Sequence, residues 1–346
     1  MELTNRLLPI LLAGFLLPNT VLAAKTLKYS DHEALGGART QFINDVFFSS
    51  IENESHGRLK IEPHWGGELG AGYDALVLVG QGTKADMAIV VPEYTAKQLP
   101  LHQIFKSFPV GPAADRQVDF FRRVYTQLPV FPLELEKNNV VNLYFATGYP
   151  VAFFSTKPMT SLADVKGGTW RSASFWHQDF LTNAGAKAVT MPWGDQTRKA
   201  LQSGALDGIM VNLDSGYDVE AHKTSPHILI SKNLWLGHIY LLVMNKNTWD
   251  GLEKQDQEAI QRAAEIAYKK QGAVMDSSLT AQIADMRQEG AKVQFLSADK
   301  LQQWKTLSRY QEVQENWLKE QENAGVKDAS ATMMKVSQMI NDAMKE

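Results

Sequence analysis

Short apolar runs alternate with amphipathic stretches from residue 26 to about 245, and this switching between a period of two and a period of 3.6 predicts an α/β architecture. Strands are expected over 26–30, 59–62, 87–91, 140–145, 152–155, 169–171, 188–191, 208–211 and 239–244, with helices over 37–53, 71–79, 114–128 and 196–202. Gly204, just past the last of these helices, is placed to end it in the left-handed conformation. From residue 249 onward the chain reads as almost wholly helical, apart from one alternating strand over 293–296. Leu252, Ala259, Ile260, Ala263, Ala264 and Ala267 follow the i, i+3, i+4 spacing of a buried helix stripe, as do Trp304, Leu307, Tyr310, Trp317 and Leu318. Those tryptophans read as packing between helices. No internal repeat, low-complexity tract or flexible linker interrupts the pattern, so two domains would have to be joined by strands crossing between closely packed lobes.

Composition narrows the setting. Arg6 precedes an unbroken apolar run over 7–17 and the small-residue end Val21-Leu22-Ala23, the layout of a secretory signal peptide over 1–23 with cleavage after Ala23. The run is too short to span a bilayer, which takes roughly 20 residues. With no cysteine in the chain, disulfides are excluded and so is the thiol that carries a lipoprotein's lipid, so a free protein of the Gram-negative periplasm is expected. The net charge of -3 gives no basic footprint for nucleic acid or an acidic membrane surface. Length suggests about two domains.

Signatures of catalysis are weak. Residues 80–85, GQGTKA, follow a helical stretch and lead into a strand, the reverse of a dinucleotide loop, and they lack the Gly-Lys-Ser/Thr of a phosphate loop. They read as a helix-ending turn. His222 and His227 are five residues apart, which puts them on different helix faces, and no HExxH or Cys/His set supports a metal. There is no GxSxG elbow and no thiol nucleophile. Asp214 and Asp218, at i and i+4, can share a helix face as paired carboxylates, although such pairs are most often simply solvated.

An ordered set of segments carries a resemblance over essentially the whole chain after residue 23. It runs from TLKYSDH at 26–32 through SHGRLKIEPHWGGELG at 55–70 and GTKADMAIVVPEY at 82–94 to STKPMTSLADVKGGTWR at 155–171. GAKAVTMPWGDQTRKALQSGALDG at 185–208 and YLLVMNKNTWDGLEKQDQEAIQRAA at 240–264 follow. In this the chain resembles the periplasmic solute-binding subunits of tripartite ATP-independent periplasmic (TRAP) transporters, often called DctP-type. The resemblance implies a periplasmic-binding-protein clamshell: two α/β lobes joined by crossing strands, with long C-terminal helices spanning both. One lobe would hold residues 24–147, rejoined by about 238–275, and the other residues 148–237, with about 276–346 packing across both.

The same resemblance implies that the arginine ending the D-x-K-G-x-x-x-R segment, here Arg171, makes a bidentate salt bridge to a ligand carboxylate. The physics stands independently: a guanidinium offers two parallel donors at any relevant pH, which a lysine's point charge does not reproduce. On composition alone a strand-end arginine reads as exposed; the surrounding motif reverses that. In the same register His32 and Tyr94 match cleft-facing positions, Ser174 sits three residues after Arg171, and Trp193 matches an aromatic that packs on the ligand body. Asn212 lies beside an asparagine position, and Trp235 and His238 follow the last crossing. A core or turn role serves each of these residue types equally well.

Two departures bear on the ligand. The family's D-G-x-E-N reads DGIMVN here, with Met210 in place of the glutamate, and Tyr149-Pro150-Val151 stands where many members place a second arginine. Both remove charge from the expected cleft and favour a monocarboxylate with an apolar or aromatic body over a dicarboxylate or a sugar acid. The expected function is binding without chemistry: capture of a small organic acid and delivery to TRAP permease subunits, with no cofactor and no metal. A ligand sensor for a signalling partner, and a periplasmic enzyme using Asp214 or His222 as acid–base groups, remain as alternatives. Either a monomer or a homodimer through the C-terminal helices fits the stripes.

Overall fold

A computed structural model of the protein describes residues 24–191 and 193–345; the signal peptide expected over 1–23 lies outside the described residues. Among the described residues, eleven strands form two sheets. In the first, β1 (Lys25–Ser30), β2 (Leu59–His64), β3 (Met87–Val90), β4 (Val140–Thr147) and β10 (Ile239–Asn245) are ordered β2-β1-β3-β10-β4. In the second, β5 (Val151–Ser155), β6 (Thr169–Arg171), β7 (Lys187–Val189), β8 (Gly208–Asn212), β9 (His227–Ile230) and β11 (Lys292–Phe295) are ordered β11-β9-β5-β8-β6-β7. β1 runs parallel to β2 and β3, whereas β10 enters antiparallel between β3 and β4, Leu241 opposite Val90 and Phe145. β6 runs parallel to β7 and β8.

The chain passes between the sheets at Thr147 to Val151, and returns between Ile230 and Ile239, the two passages being tied by Gly148 N–H to the His238 carbonyl at 3.0 Å and Val151 N–H to the Leu234 carbonyl at 3.1 Å. A third link is the helix Lys254–Gln288, about 52 Å long at 1.5 Å per residue. Ile260, Ala263, Ala264, Ala267 and Tyr268 of its first half belong to one apolar core, and Met275, Leu279, Ile283 and Met286 of its second half to another. The second sheet separates these cores by its own alternation. Val151 and Phe153 of β5 face the first core, and Ala152 and Phe154 face the second, as a period of two requires.

Most expected elements are present with ends shifted by a residue or two. Gly82 (φ +65°) and Gly204 (φ +75°) close their helices in the left-handed conformation, so GQGTKA is a helix-ending turn. Besides short helices such as Val130–Glu136 and Phe175–Asn183, the structure holds features that the sequence pattern does not predict. β9 was not foreseen. The helix expected over 37–53 contains a π-helical stretch, Ile43–Phe48, between two α-helical pieces. The stripe from Trp304 to Leu318 belongs to two helices, Ala298–Ser308 and Tyr310–Asn323, broken at Arg309 (φ 47°).

Candidate functional site

Strand direction decides where the polar side chains meet. β1, β3, β6 and β8 end toward the space between the sheets, and β10, antiparallel to β3, begins there. His32 follows β1, Glu93 and Tyr94 follow β3, Arg171 is the last residue of β6, Asn212 is the last of β8, and Trp193 lies in the turn after β7. His238 and Tyr240 stand at the start of β10. All line one cleft between the two sheets, and small-molecule sites in α/β folds gather at the carboxyl ends of strands.

Arg171 lines this cleft as a buried cation. Its side chain is held by β6 between β7 and β8 and is only 4% exposed. One guanidinium nitrogen donates to the Met191 carbonyl at 3.1 Å, and Cζ stands 4.8 Å from the centroid of the Trp193 ring. Nε has no hydrogen-bond partner, and among the described residues no carboxylate forms an ion pair with it. Burial lowers its pKa from the usual arginine range.

Behind the cleft lies a cluster of paired charges, in which Arg39 Nε alone keeps no partner among the described residues. Arg39 donates to both oxygens of Asp31 at 2.7 and 2.9 Å and to Glu33 at 2.7 Å, and its guanidinium stacks 4.5 Å over the Tyr240 ring. Asp31 also accepts from Tyr29 Oη at 2.6 Å, and despite its burial the Arg39 charge and these bonds hold its carboxyl below the usual range.

A second cluster shares the lining. Lys106 Nζ lies 2.7 Å from Glu93 Oε1 and 2.7 Å from His238 Nδ1. Burial works against the Glu93 charge, but the Lys106 ammonium 2.7 Å away holds its pKa below the carboxylate range. His177, fully buried on the helix Phe175–Asn183, has a pKa pushed down by burial to about 3, so it is neutral.

The structure brings together seven of the eight residues singled out from the sequence: His32, Tyr94, Arg171, Ser174, Trp193, Asn212 and His238. Trp235 is a correction. It is buried in the first core, stacked on Phe121 with its Nε1 donating to the Phe105 carbonyl at 2.7 Å, and its neighbours Leu236 and His238 line the cleft instead. The acid–base candidates do not meet there. His222 Nε2 pairs with Glu289 at 3.0 Å away from the lining, and Asp214 accepts from the Asn212 amide just behind it. Of the Asp214 and Asp218 pair, Asp218 is exposed and Asp214 half-buried. Burial, then the neighbouring carboxylates Asp218 and Glu33, push Asp214 up to about 7, and partial desolvation, with Glu33, pushes Asp218 up to about 6. The sequence reading missed Glu93, Lys106, His177 and Tyr240. The single signal was Lys106, a lone lysine inside the apolar run 104–110, IFKSFPV.

Comparison with known proteins completes the description. Residues 39–321 match the DctP family, described as bacterial extracellular solute-binding protein, family 7. A solute-binding protein of Chromohalobacter salexigens is 26% identical over 160 residues, a stretch amounting to 46% of this chain and 46% of that protein, so the match spans about half of each. A TRAP solute-binding protein from Rhodoferax ferrireducens T118, solved with copurified benzoate, has a TM-score of 0.80 at 20% identity and covers 93% of this chain and 99% of that one. A marine-metagenome TRAP solute-binding protein specific for aromatic acids, solved with 3-hydroxybenzoate, has a TM-score of 0.76 at 19% identity over 92% and 99%. At such identities the likeness carries the fold: two α/β lobes closing on a cleft.

Proposed function

The chain belongs to the bacterial extracellular solute-binding proteins of family 7, and from that premise we propose that it is a TRAP-type periplasmic receptor that grips the carboxylate of a small monocarboxylic acid with Arg171. Residues 24–147, rejoined by 238–275, form one lobe and 148–237 the other; the acid enters between them and closure buries it. The bound solute then passes to membrane permease subunits without chemical change.

One observation carries the reading. A buried guanidinium without a counter-ion is strongly unfavourable, and Arg171 sits in the cleft with an unpartnered Nε and, among the described residues, no carboxylate paired with it. An incoming carboxylate supplies both the charge and the paired acceptors that a guanidinium fork fits. The Trp193 and Tyr94 rings beside it, with Met210 in the lining, suit an apolar or aromatic body. Since relatives of the same fold hold benzoate and 3-hydroxybenzoate, aromatic monocarboxylates are the first class to test.

The experiment is a thermal-shift screen of the purified protein, shown free of carried-over ligand, against aromatic acids, short hydroxy acids, dicarboxylates and sugar acids. A ligand at a hundred times its Kd stabilises by about 2.7 kcal/mol, a plainly raised midpoint. The hits are then titrated calorimetrically into Arg171→Ala and Arg171→Lys. We expect Arg171→Ala to lose about 2–5 kcal/mol of binding, as when one partner of a buried charge pair is truncated, and Arg171→Lys to lose most of it. Near-normal affinity in Arg171→Ala overturns the assignment.

A further inference from the structure

The cluster of Glu93, Lys106 and His238 has more hydrogen-bonding capacity than the chain uses. Lys106 Nζ meets Glu93 Oε1 and His238 Nδ1, each at 2.7 Å, and lies nearer to Nδ1 than does Glu93 Oε1, which stands 3.1 Å from it. An ammonium only donates, so His238 Nδ1 accepts and the ring proton of the neutral imidazole resides on Nε2. Two atoms are left over. Glu93 Oε2 is a buried acceptor and His238 Nε2 a buried donor, and neither has a partner among the described residues. Ser174 Oγ, which both donates and accepts, is also unpartnered. All three residues line the same cleft as Arg171. Polar atoms this deeply buried are almost always satisfied, and each left unmade is unfavourable.

Resting on the reading of Arg171 above, we propose that Glu93 Oε2 and His238 Nε2 form a second subsite, which selects acids carrying a hydroxyl group on the body away from the carboxylate. A hydroxyl donates its proton to Glu93 Oε2 and accepts from His238 Nε2–H, so it satisfies both orphans at once. The alternatives fit less well. A second carboxylate has no proton for Glu93 and brings like charge against it. An ammonium has no acceptor for His238 and meets the Lys106 ammonium on the far side of Glu93. A bare methylene or ring C–H leaves both polar atoms unsatisfied. Glu93 and Lys106 cancel in charge, so the subsite reads polarity without adding to the anion attraction that belongs to Arg171.

The test uses two matched series, titrated calorimetrically at one pH and ionic strength: benzoate, 3-hydroxybenzoate and isophthalate; propionate, 3-hydroxypropionate, β-alanine and succinate. In at least one series the hydroxy acid is expected to bind about tenfold or more tightly than its hydroxyl-free parent, since a site built to pair a hydroxyl penalises its absence heavily. Glu93→Gln is expected to shrink that ratio several-fold, and Glu93→Met, which offers no strong acceptor, to abolish it. Circular dichroism checks that each variant is folded. If a Glu93 variant does not fold, His238→Phe replaces it and is expected to lose the same ratio. Parents that bind as well as their hydroxy acids, or a preference for isophthalate, succinate or β-alanine, overturn the subsite. If Arg171→Ala still abolishes binding, those results leave the carboxylate site standing. Binding of no acid in either series overturns both.

Discussion

At the scale of single residues the cleft and the side chains just behind it hold titrating groups whose environments pull in opposite directions. Asp214, pushed up to about 7, takes up a proton on folding at pH values between its ordinary value of 3.8 and about 7. The folded state then binds more protons than the unfolded one, so the Asp214 contribution to stability falls as pH rises through this window. His177, pushed down to about 3 from 6.5, does the reverse: its neutral form favours the folded state above about 6.5, and that contribution is lost as pH falls toward 3. The two slopes overlap, so a single melting profile mixes them and a difference between variants is needed. We expect Asp214→Asn to gain stability relative to the parent as pH rises from 4.5 to 7.5, read as the difference in Tm; a constant difference would show that Asp214 titrates normally. Arg171 was legible in the sequence because its neighbours form a long ordered motif. Glu93, Lys106 and His177 were not: they stand far apart along the chain and acquire meaning only when β3, the turn Leu101–Ser107 and the helix Phe175–Asn183 converge.

At the scale of elements, periodicity located strands whose two faces differ, such as β1 with its pattern of exposed and buried positions. It failed at β9, whose four residues His227–Ile230 lie between β5 and β11 with Ile228, Leu229 and Ile230 all buried. Its apolar run, Ile228 to Ile230, is shorter than the runs by which the equally buried β3, β5 and β10 are read. The break at Arg309 was equally silent, since no glycine or proline marks it. The long helix Lys254–Gln288 was anticipated by its alanine stripe, and Gly272 within it has a steric reason. A Cβ there would come within 1.7 Å of Asp115 Oδ1 and 2.7 Å of the Asp115 backbone nitrogen, at the start of the helix Ala114–Gln127. Gly272→Ala, which helix propensity alone would favour by about 1 kcal/mol, is therefore expected to destabilise by about 1–3 kcal/mol through overpacking. Chemical denaturation checks it; a stabilised variant would mean that the two helices separate easily.

At the scale of the whole molecule the passages between sheets make the lobes interdependent. β10 completes the first sheet although it follows the entire second run of strands from β5 to β9, and Trp235, Leu236 and Ile239 from the returning passage are buried in the first core. A fragment of residues 24–237 therefore lacks the strand that joins β3 to β4. We expect it to show no cooperative thermal transition by circular dichroism, whereas the full chain shows one. A fragment that melted cooperatively near the parent's Tm would mean that the first lobe stands without β10.

The position of β10 also bears on the order in which the chain emerges during synthesis or passage through a membrane. β3 and β4 have no contact through the sheet except by way of β10, so a polypeptide emerging N-terminus first carries an unfinished first sheet until residue 245 has appeared. Late completion keeps most of the length threadable, and it leaves the facing edges of β3 and β4 unpaired for that interval. Unpaired edges are templates for another chain, so a holding chaperone has its use during this interval.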